Sequence, residues 1–309
     1  MRIGLVFGGN TTECEVSKSS AEGIRGALQK LDYEVVDIEY DKNIAMHIQD
    51  ANVDVIFDAM HGQYGEDGCL QGLLNIMQIP YTHSGMLATA LGMNKQICKQ
   101  IFKDLGLRVP KGIVVLKEEL QMDKWKEMLK DSILSNCKSV FIKPVCDGSS
   151  RDAFLVHDVD SFSFKEIEFA TASDKFLIEE RIIGRDIQVA VFDHKAIGVL
   201  EIIPNKEQSE FYDYKAKYTE GGAKHIVPVL PENIQNELLR DAELIHNTLG
   251  AKDVSRSDFL LTENNEVYAL EINTHPGLTP LSIFPEIARN AGISYEQIVE
   301  MLVKNAKCN

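Results

Sequence analysis

Positive charge is scarce in this sequence. Its 309 residues carry 32 Lys and Arg against 47 Asp and Glu, a formal net charge of −15. A nucleic-acid binder needs a basic stripe to neutralise phosphates, and a membrane-surface protein needs a polybasic patch, so neither partner is expected. Long apolar runs are missing too. None approaches the ~18 residues of a membrane span, and the N-terminal run of about five, ending in Phe7, is too short for a signal peptide. A cytoplasmic chain is expected. The six cysteines (Cys14, Cys69, Cys98, Cys137, Cys146 and Cys308) form no C-x-x-C or other zinc spacing. They read as scattered reduced thiols. The P-loop pattern G-x-x-x-x-G-K-[ST] does not occur, and no G-x-G-x-x-G follows the first strand, which disfavours a dinucleotide oxidoreductase. Internal repeats and low-complexity tracts are absent.

What is present is an ordinary globular composition, 44% hydrophobic and 26% charged. A chain of this length buries roughly three quarters of its unfolded surface and needs no staple to fold. The first part alternates strand and helix. Ile3–Phe7 is a continuous apolar run ending in Gly8-Gly9, as in a buried parallel strand. Val16, Ile24 and Leu28 predict a helix, Tyr33–Ile38 and Val53–Ala59 further strands, and Leu70–Met77 another helix. This βαβ series implies a parallel sheet. A second section starts at Asn94, a candidate N-cap, with strands predicted at Gly112–Leu116, Ser139–Lys143 and Phe176–Glu180. A third opens with a hairpin, Ile187–Phe192 and Ala196–Ile203 around Asp193-His194. The polar stretch from Asn205 to His225 reads as a functional loop or lid. A helix with Pro231 at N1 closes at Gly250, and Ser294 with Gln297 forms a capping-box pattern.

The strongest local signal lies between Ser255 and Asn273. Treating Asn264-Asn265 as a two-residue turn places Asp258 opposite Glu271 and Arg256 opposite Asn273. Opposed carboxylates repel each other, whereas Asp, Glu and Asn oxygens together suit Mg²⁺ with phosphate. A solvated polar face is the alternative. Lys143 ends an apolar strand before Asp147-Gly148-Ser149-Ser150. A lysine beside such a loop can hold phosphate oxygens, or it is simply solvated. Glu15, in the first βα turn, could pair with a ligand ammonium or complement the helix dipole. His61, in His-Gly-Gln-Tyr-Gly-Glu-Asp-Gly, ends the third strand at the same sheet edge, where α/β proteins bind ligands. By itself it is also readable as a loop histidine.

Seven motifs occur in order. They are G-G-x-x-x-E-x-x-V-S (Gly8 to Ser17), His-Gly-x-x-Gly-Glu-Asp-Gly (His61 to Gly68), Met93-Asn94-Lys95, Ile142-Lys143-Pro144, Gly148-Ser149-Ser150, the run from Phe211 to Tyr218, and Glu271-Ile272-Asn273-Thr274-His275-Pro276-Gly277. Together they resemble the D-alanine–D-alanine ligases of the ATP-grasp superfamily over nearly the whole chain.

The resemblance implies an α/β (α+β) chain in three parts: a Rossmann-like parallel-sheet domain over 1–94, a central ATP-grasp subdomain over 95–183, and a C-terminal one over 184–309. It implies a homodimer that joins two D-alanines with one ATP, for peptidoglycan synthesis. Asp258, Glu271 and Asn273 would hold two Mg²⁺, or Mn²⁺. Lys95, Lys143 and Ser149 would meet the ATP phosphates, and Glu179, Arg181 and Ile182 the adenine. Asp186 stands where the family usually has a Glu on the ribose. Glu15 would hold the first D-alanine's ammonium within a Glu15–Ser149–Tyr218 set, with His61 nearby. Arg256 and the Gly277 N–H would stabilise the oxyanion, and Lys217 and Ser282 would bind the second carboxylate. Tyr218 favours D-alanine as acceptor, because relatives that make D-alanyl-D-lactate carry a His there.

Other readings are a sibling ligase for D-serine or D-lactate, and a non-catalytic nucleotide-binding relative. The family usually continues Gly-Ser-Ser with Val-Gly, but Arg151-Asp152 stands here. The lost glycine predicts a stiffer or displaced phosphate loop and weaker ATP binding.

Overall fold

The computed structural model describes residues 1–9, 13–207, 209–219, 221–279 and 282–308, with only the backbone of Lys215 and Tyr218. It begins with β1 (Arg2–Gly8), α1 (Cys14–Lys30), β2 (Glu34–Tyr40), α2 (Ile44–Ala51), β3 (Val55–Asp58), α3 (Cys69–Met77) and α4 (Met86–Met93). These strands pair in parallel in the order β2-β1-β3, as the alternation predicts. Next come α5 (Lys95–Asp104), β4 (Gly112–Leu116), α6 (Lys117–Gln121), α7 (Trp125–Lys130), β5 (Val140–Pro144), β6 (Phe154–Val156) and β7 (Lys175–Glu180). Their strands form an antiparallel sheet, β4-β7-β5-β6. The remainder comprises β8 (Arg185–Phe192), β9 (Lys195–Pro204), α8 (Tyr214–Tyr218), β10 (Ala223–Ile226), α9 (Glu232–Leu249), β11 (Val254–Leu261), β12 (Val267–Asn273), α10 (Ile283–Asn290) and α11 (Tyr295–Lys304). It builds a five-stranded antiparallel sheet, β10-β9-β8-β11-β12.

Local chemistry explains several boundaries. Asn94 caps α5, its side chain accepting the Ile97 N–H at 3.1 Å. Ser294 and Gln297 exchange capping-box bonds at the start of α11. Asp193 and His194 both take positive φ (50° and 63°), as a two-residue hairpin turn requires. Pro231 is the N-cap of α9 rather than its first helical residue. The stretch from Asn205 to His225 is not structureless. It carries α8 and the start of β10, which pairs with β9. Both elements are too short to show a period.

Four apolar clusters hold these layers. One face of the parallel sheet packs with α1, α10 and α11, through Leu5, Leu28, Phe284 and Leu302. Its other face packs with α2 and α3. The five-stranded sheet rests on α5 and α9, through Phe102, Leu238 and Ile245. Each such side chain contributes about 1.5–3 kcal/mol on burial. Trp125 and Phe164 centre the cluster behind the four-stranded sheet. No helix among the described residues is long and apolar enough to cross a membrane.

Buried histidines make stability depend on pH. Burial pushes His246 and His275 down to about 4, and His83 well below its ordinary value. Unfolded, each titrates near 6.5. Between those values the unfolded chain binds protons that the native state refuses, so stability is full above about pH 6.5 and drains as pH falls toward 4. His246 and His275 each contribute up to about 3 kcal/mol of this. His61, held above its ordinary value by Glu66 despite burial, works the other way. Asp58 and Asp186, carboxyls that burial pushes up, also work the other way. The histidine effect is therefore read by substitution: between pH 7.5 and pH 5 the urea midpoint of wild type should fall further than that of His246→Gln.

Candidate active site

The two antiparallel sheets face each other across a cleft of about 530 Å³. Phe141, Lys143, Leu155 and Glu179 line one side, and Asp186, Leu260, Leu270 and Glu271 the other. A second cleft, of about 880 Å³, opens at the C-terminal edge of the parallel sheet. Glu13, His61, Arg256, Asn273, Gly277 and Ser282 line it. Lys95, Ser149, Lys217 and Glu271 border both.

Glu271 reaches that junction through the hairpin register. Asp258 does pair with Glu271, and Arg256 with Asn273. The turn, however, is not a two-residue one. Thr262 N–H donates to the Glu266 carbonyl at 3.0 Å, leaving a three-residue loop with Asn265 in the left-handed region (φ 61°). That loop shifts the register by one, so Phe259 pairs with Ala269. A bulge between Asp258 and Phe259 shifts it back.

The opposed carboxylates are embedded among cations. Arg256 Nε and Nη2 donate to Asp258 at 2.7 and 3.0 Å. Lys95 Nζ lies 3.6 Å from Glu271. Burial alone would raise Glu271, but Lys95, Lys143, Lys217 and Arg256 together bring it down to about 2. Mutual repulsion therefore does not dominate. Among the described residues no three His, Cys, Asp or Glu converge as a metal cage. Two carboxylates plus the Asn273 amide, beside a nucleotide-sized cleft, fit Mg²⁺, which keeps waters and phosphate oxygens in its shell.

The phosphate-loop candidates are paired internally. Lys95 Nζ donates to the Asp147 carbonyl at 2.6 Å, and Lys143 Nζ lies 2.9 Å from Glu179. Glu179 is also 2.5 Å from Lys99. Ser149, Ser150 and Asp152 all take positive φ (52°, 54° and 47°). The missing glycine thus does not deny position 152 the left-handed region, which Asp tolerates better than most residues. Its Oδ2 accepts the Thr171 N–H at 2.6 Å, fastening the loop. Asp152→Gly should lose this bond but relax the backbone, costing about 1 kcal/mol. Asp152→Ala loses the bond and keeps the strain, costing about 2 kcal/mol. Thermal melts of the two variants check that order.

The Glu15–Ser149 pairing needs correction. Ser149 Oγ donates to Glu13, which is buried. Glu15 is 85% exposed, 3.7 Å from Lys18. The reason is local. Glu13 is the N-cap of α1 and turns inward, while Glu15 projects from the first helical turn. The motif G-G-x-x-x-E itself places its Glu at position 13, so the signal was available and misassigned by two residues. The side chain of Tyr218 lies outside the described residues, so its place in that set is not described.

The other candidates fall around the two clefts. His61 is buried, its Nδ1 3.0 Å from Glu66 and its Nε2 2.9 Å from Ser20 Oγ. Glu66, which the sequence reading missed, is the Glu of the same glycine-rich motif. Lys217 Nζ donates to Ser150 Oγ at 2.8 Å, and burial holds it below the usual lysine range. A Cβ on Gly277 would stand 3.1 Å from Ser282 Oγ, so the backbone there passes close to the α10 cap. Arg181 and Ile182 line the nucleotide-sized cleft, the former donating to His157 Nδ1 at 3.2 Å. Asp186 lines it too. Burial, reinforced by Asp258, pushes that carboxyl up to about 7, and its buried Oδ1 has no hydrogen-bond partner among the described residues. Lys99 was not foreseen either, although it shares a helical face with Lys95 four residues earlier.

Residues 41–84 match the family model described as D-ala D-ala ligase N-terminus, and residues 101–304 the one described as D-ala D-ala ligase C-terminus. The chain is 44% identical over 307 residues to a D-alanine–D-alanine ligase of Rickettsia massiliae, covering 98% of this chain and 91% of the relative. A D-alanine–D-alanine ligase of Rickettsia felis is 43% identical with the same coverage. Among solved structures, a D-alanine–D-alanine ligase from Bacillus anthracis complexed with ATP matches with a TM-score of 0.80 at 27% identity, over 98% of this chain and 96% of that one. The D-alanyl-alanine synthetase A from Vibrio cholerae matches with a TM-score of 0.84 at 25% identity, over 100% and 99%.

Proposed function

The chain belongs to the D-alanine–D-alanine ligase family, and we propose that it joins two D-alanines at the expense of ATP, for peptidoglycan synthesis, through the residues described above. Two antiparallel sheets closing on a nucleotide-sized cleft are the ATP-grasp arrangement. The observation that carries the assignment of roles is the junction. Glu271, opposed to Asp258, borders both the nucleotide cleft and the cleft that holds Glu13 and Ser149.

A carboxylate is a poor electrophile, so the first D-alanine's carboxylate oxygen takes the γ-phosphoryl group and ADP leaves. The second amine then attacks that acyl carbon, and phosphate departs. The protein's contribution is positioning and charge stabilisation. Glu13, in place of Glu15, accepts the first ammonium. Arg256 spends Nε and Nη2 on Asp258, leaving its other N–H donors for the oxyanion beside the Gly277 N–H. Lys217 and Ser282 receive the second carboxylate. Lys143 and Lys95 leave Glu179 and the Asp147 carbonyl for the phosphates. Asp258, Glu271 and Asn273 would hold Mg²⁺, which neutralises charge on the transferring phosphoryl group.

The test is ADP release with ATP and Mg²⁺ against D-alanine, D-serine and D-lactate, with product masses. D-Alanine-dependent ADP release yielding the dipeptide is expected. ADP release that ignores D-alanine would overturn the reading.

A further inference from the structure

Glu179 is almost fully buried at the end of β7, between two lysines. Lys143, on β5, lines the nucleotide cleft. Lys99 comes from α5, sits behind the carboxylate outside the cleft lining, and is itself 5% exposed. Among the described residues Glu179 is its only ion-pair partner, at 2.5 Å. The mechanism above gives Lys99 no role.

The two lysines are not equivalent once nucleotide is bound. Lys143 must turn to phosphate oxygens. A carboxylate left in that buried place with no cation would take up a proton. A protonated Glu179 would offer an O–H donor to the edge of the base. The 6-amino group of adenine is itself a donor and needs an acceptor there; a 6-oxo purine needs the reverse.

We infer that Lys99 is a positioning residue that keeps Glu179 an ionised acceptor after Lys143 leaves it, and so selects a 6-amino over a 6-oxo purine nucleotide. The inference rests on the proposed contact between Glu179 and adenine. Burial works against ionisation of Glu179, and Lys143 and Lys99 together hold it below the usual carboxylate range, which agrees with the charge state required. Lys99 pays for this with its own desolvation, which brings it down to about 8.

The experiment compares ATP with inosine triphosphate in D-alanine-dependent phosphate release. Lys99→Met should raise KM for ATP about 10-fold, leave kcat within about 3-fold, and narrow the ATP preference at least about 10-fold. Lys99→Arg, which keeps the charge, should retain the preference. If the methionine variant does not fold, Lys99→Gln, a neutral donor in the same cavity, carries the test with a narrowing of at least about 3-fold. An unchanged nucleotide preference in the folded neutral variant overturns the inference. Glu179→Gln separates the two readings. If it changes the preference while the Lys99 variants do not, Glu179 meets the base and Lys99 is merely structural. If it leaves the preference unchanged, the base contact itself fails and the inference with it.

Discussion

Glu271→Gln should lower turnover about 1000-fold, as loss of a group that organises charge on the transferring phosphoryl does. Asp258→Asn should do the same. The structure adds a stability cost that the sequence did not suggest. Seen as two repelling carboxylates, either change would be structurally mild. Yet Asp258 holds Arg256 by two hydrogen bonds, while the Lys95 ammonium lies 3.6 Å from Glu271. Asp258→Asn therefore breaks a buried bidentate pair, at about 3 kcal/mol. Glu271→Gln removes a charge shared among several cations, and its depressed titration corresponds to a similar cost, about 3 kcal/mol.

The same substitution changes the acid limb. Glu271 is depressed in the fold, so its stabilisation is present above its unfolded value near 4.5 and is lost as pH falls toward about 2. Wild type should lose stability over that window more steeply than Glu271→Gln. Urea melts at pH 7 and pH 3, alongside ADP release, check both points. Near-normal turnover in both folded variants would remove the site.

Glu13→Gln should cut kcat/KM for the first D-alanine about 100-fold, while Glu15→Gln stays within about 2-fold. An amide keeps the shape and the Ser149 contact but carries no charge for an ammonium, and about 2.7 kcal/mol of charge-assisted bonding corresponds to that factor. Glu15, 85% exposed at the rim of the same cleft, has among the described residues a screened surface pair with Lys18 to lose. The reverse pattern would return the substrate site to Glu15 and set aside the buried Glu13–Ser149 contact as structural.

These two glutamates mark how far sequence reading reached. Strong periodicity and caps placed β1, α5, α9 and α11 within a residue or two, because apolar spacing and the Asn94, Gly250 and Ser294 signals are local. The Asp258–Glu271 pairing was found despite a wrong turn, since the three-residue loop and the bulge offset each other. Although the G-G-x-x-x-E spacing singles out Glu13, apolar periodicity could not decide which glutamate of Glu13-Cys14-Glu15 faces inward. That depends on where α1 starts, and helix starts are the softest part of any such reading. Lys99 and Glu66 were missed for another reason. Their partners, Glu179 and His61, are supplied by other elements or by a loop fold, and spacing along the chain carries no record of that.

The parallel sheet has a further consequence, for the order of events in synthesis. Its strands lie within residues 2–58 and α1 covers one face, but the apolar layer on that side is completed by α10 and α11, which come from 283–304. Tyr81 pairs with Lys307 at its edge. A ribosome therefore exposes apolar surface of this layer long before the helices that complete its cover exist. Such distant closure slows folding and leaves a sticky intermediate. The N-terminal layer should become protease-resistant only when the last helix has emerged, and chains that stop before residue 283 should be the aggregation-prone ones.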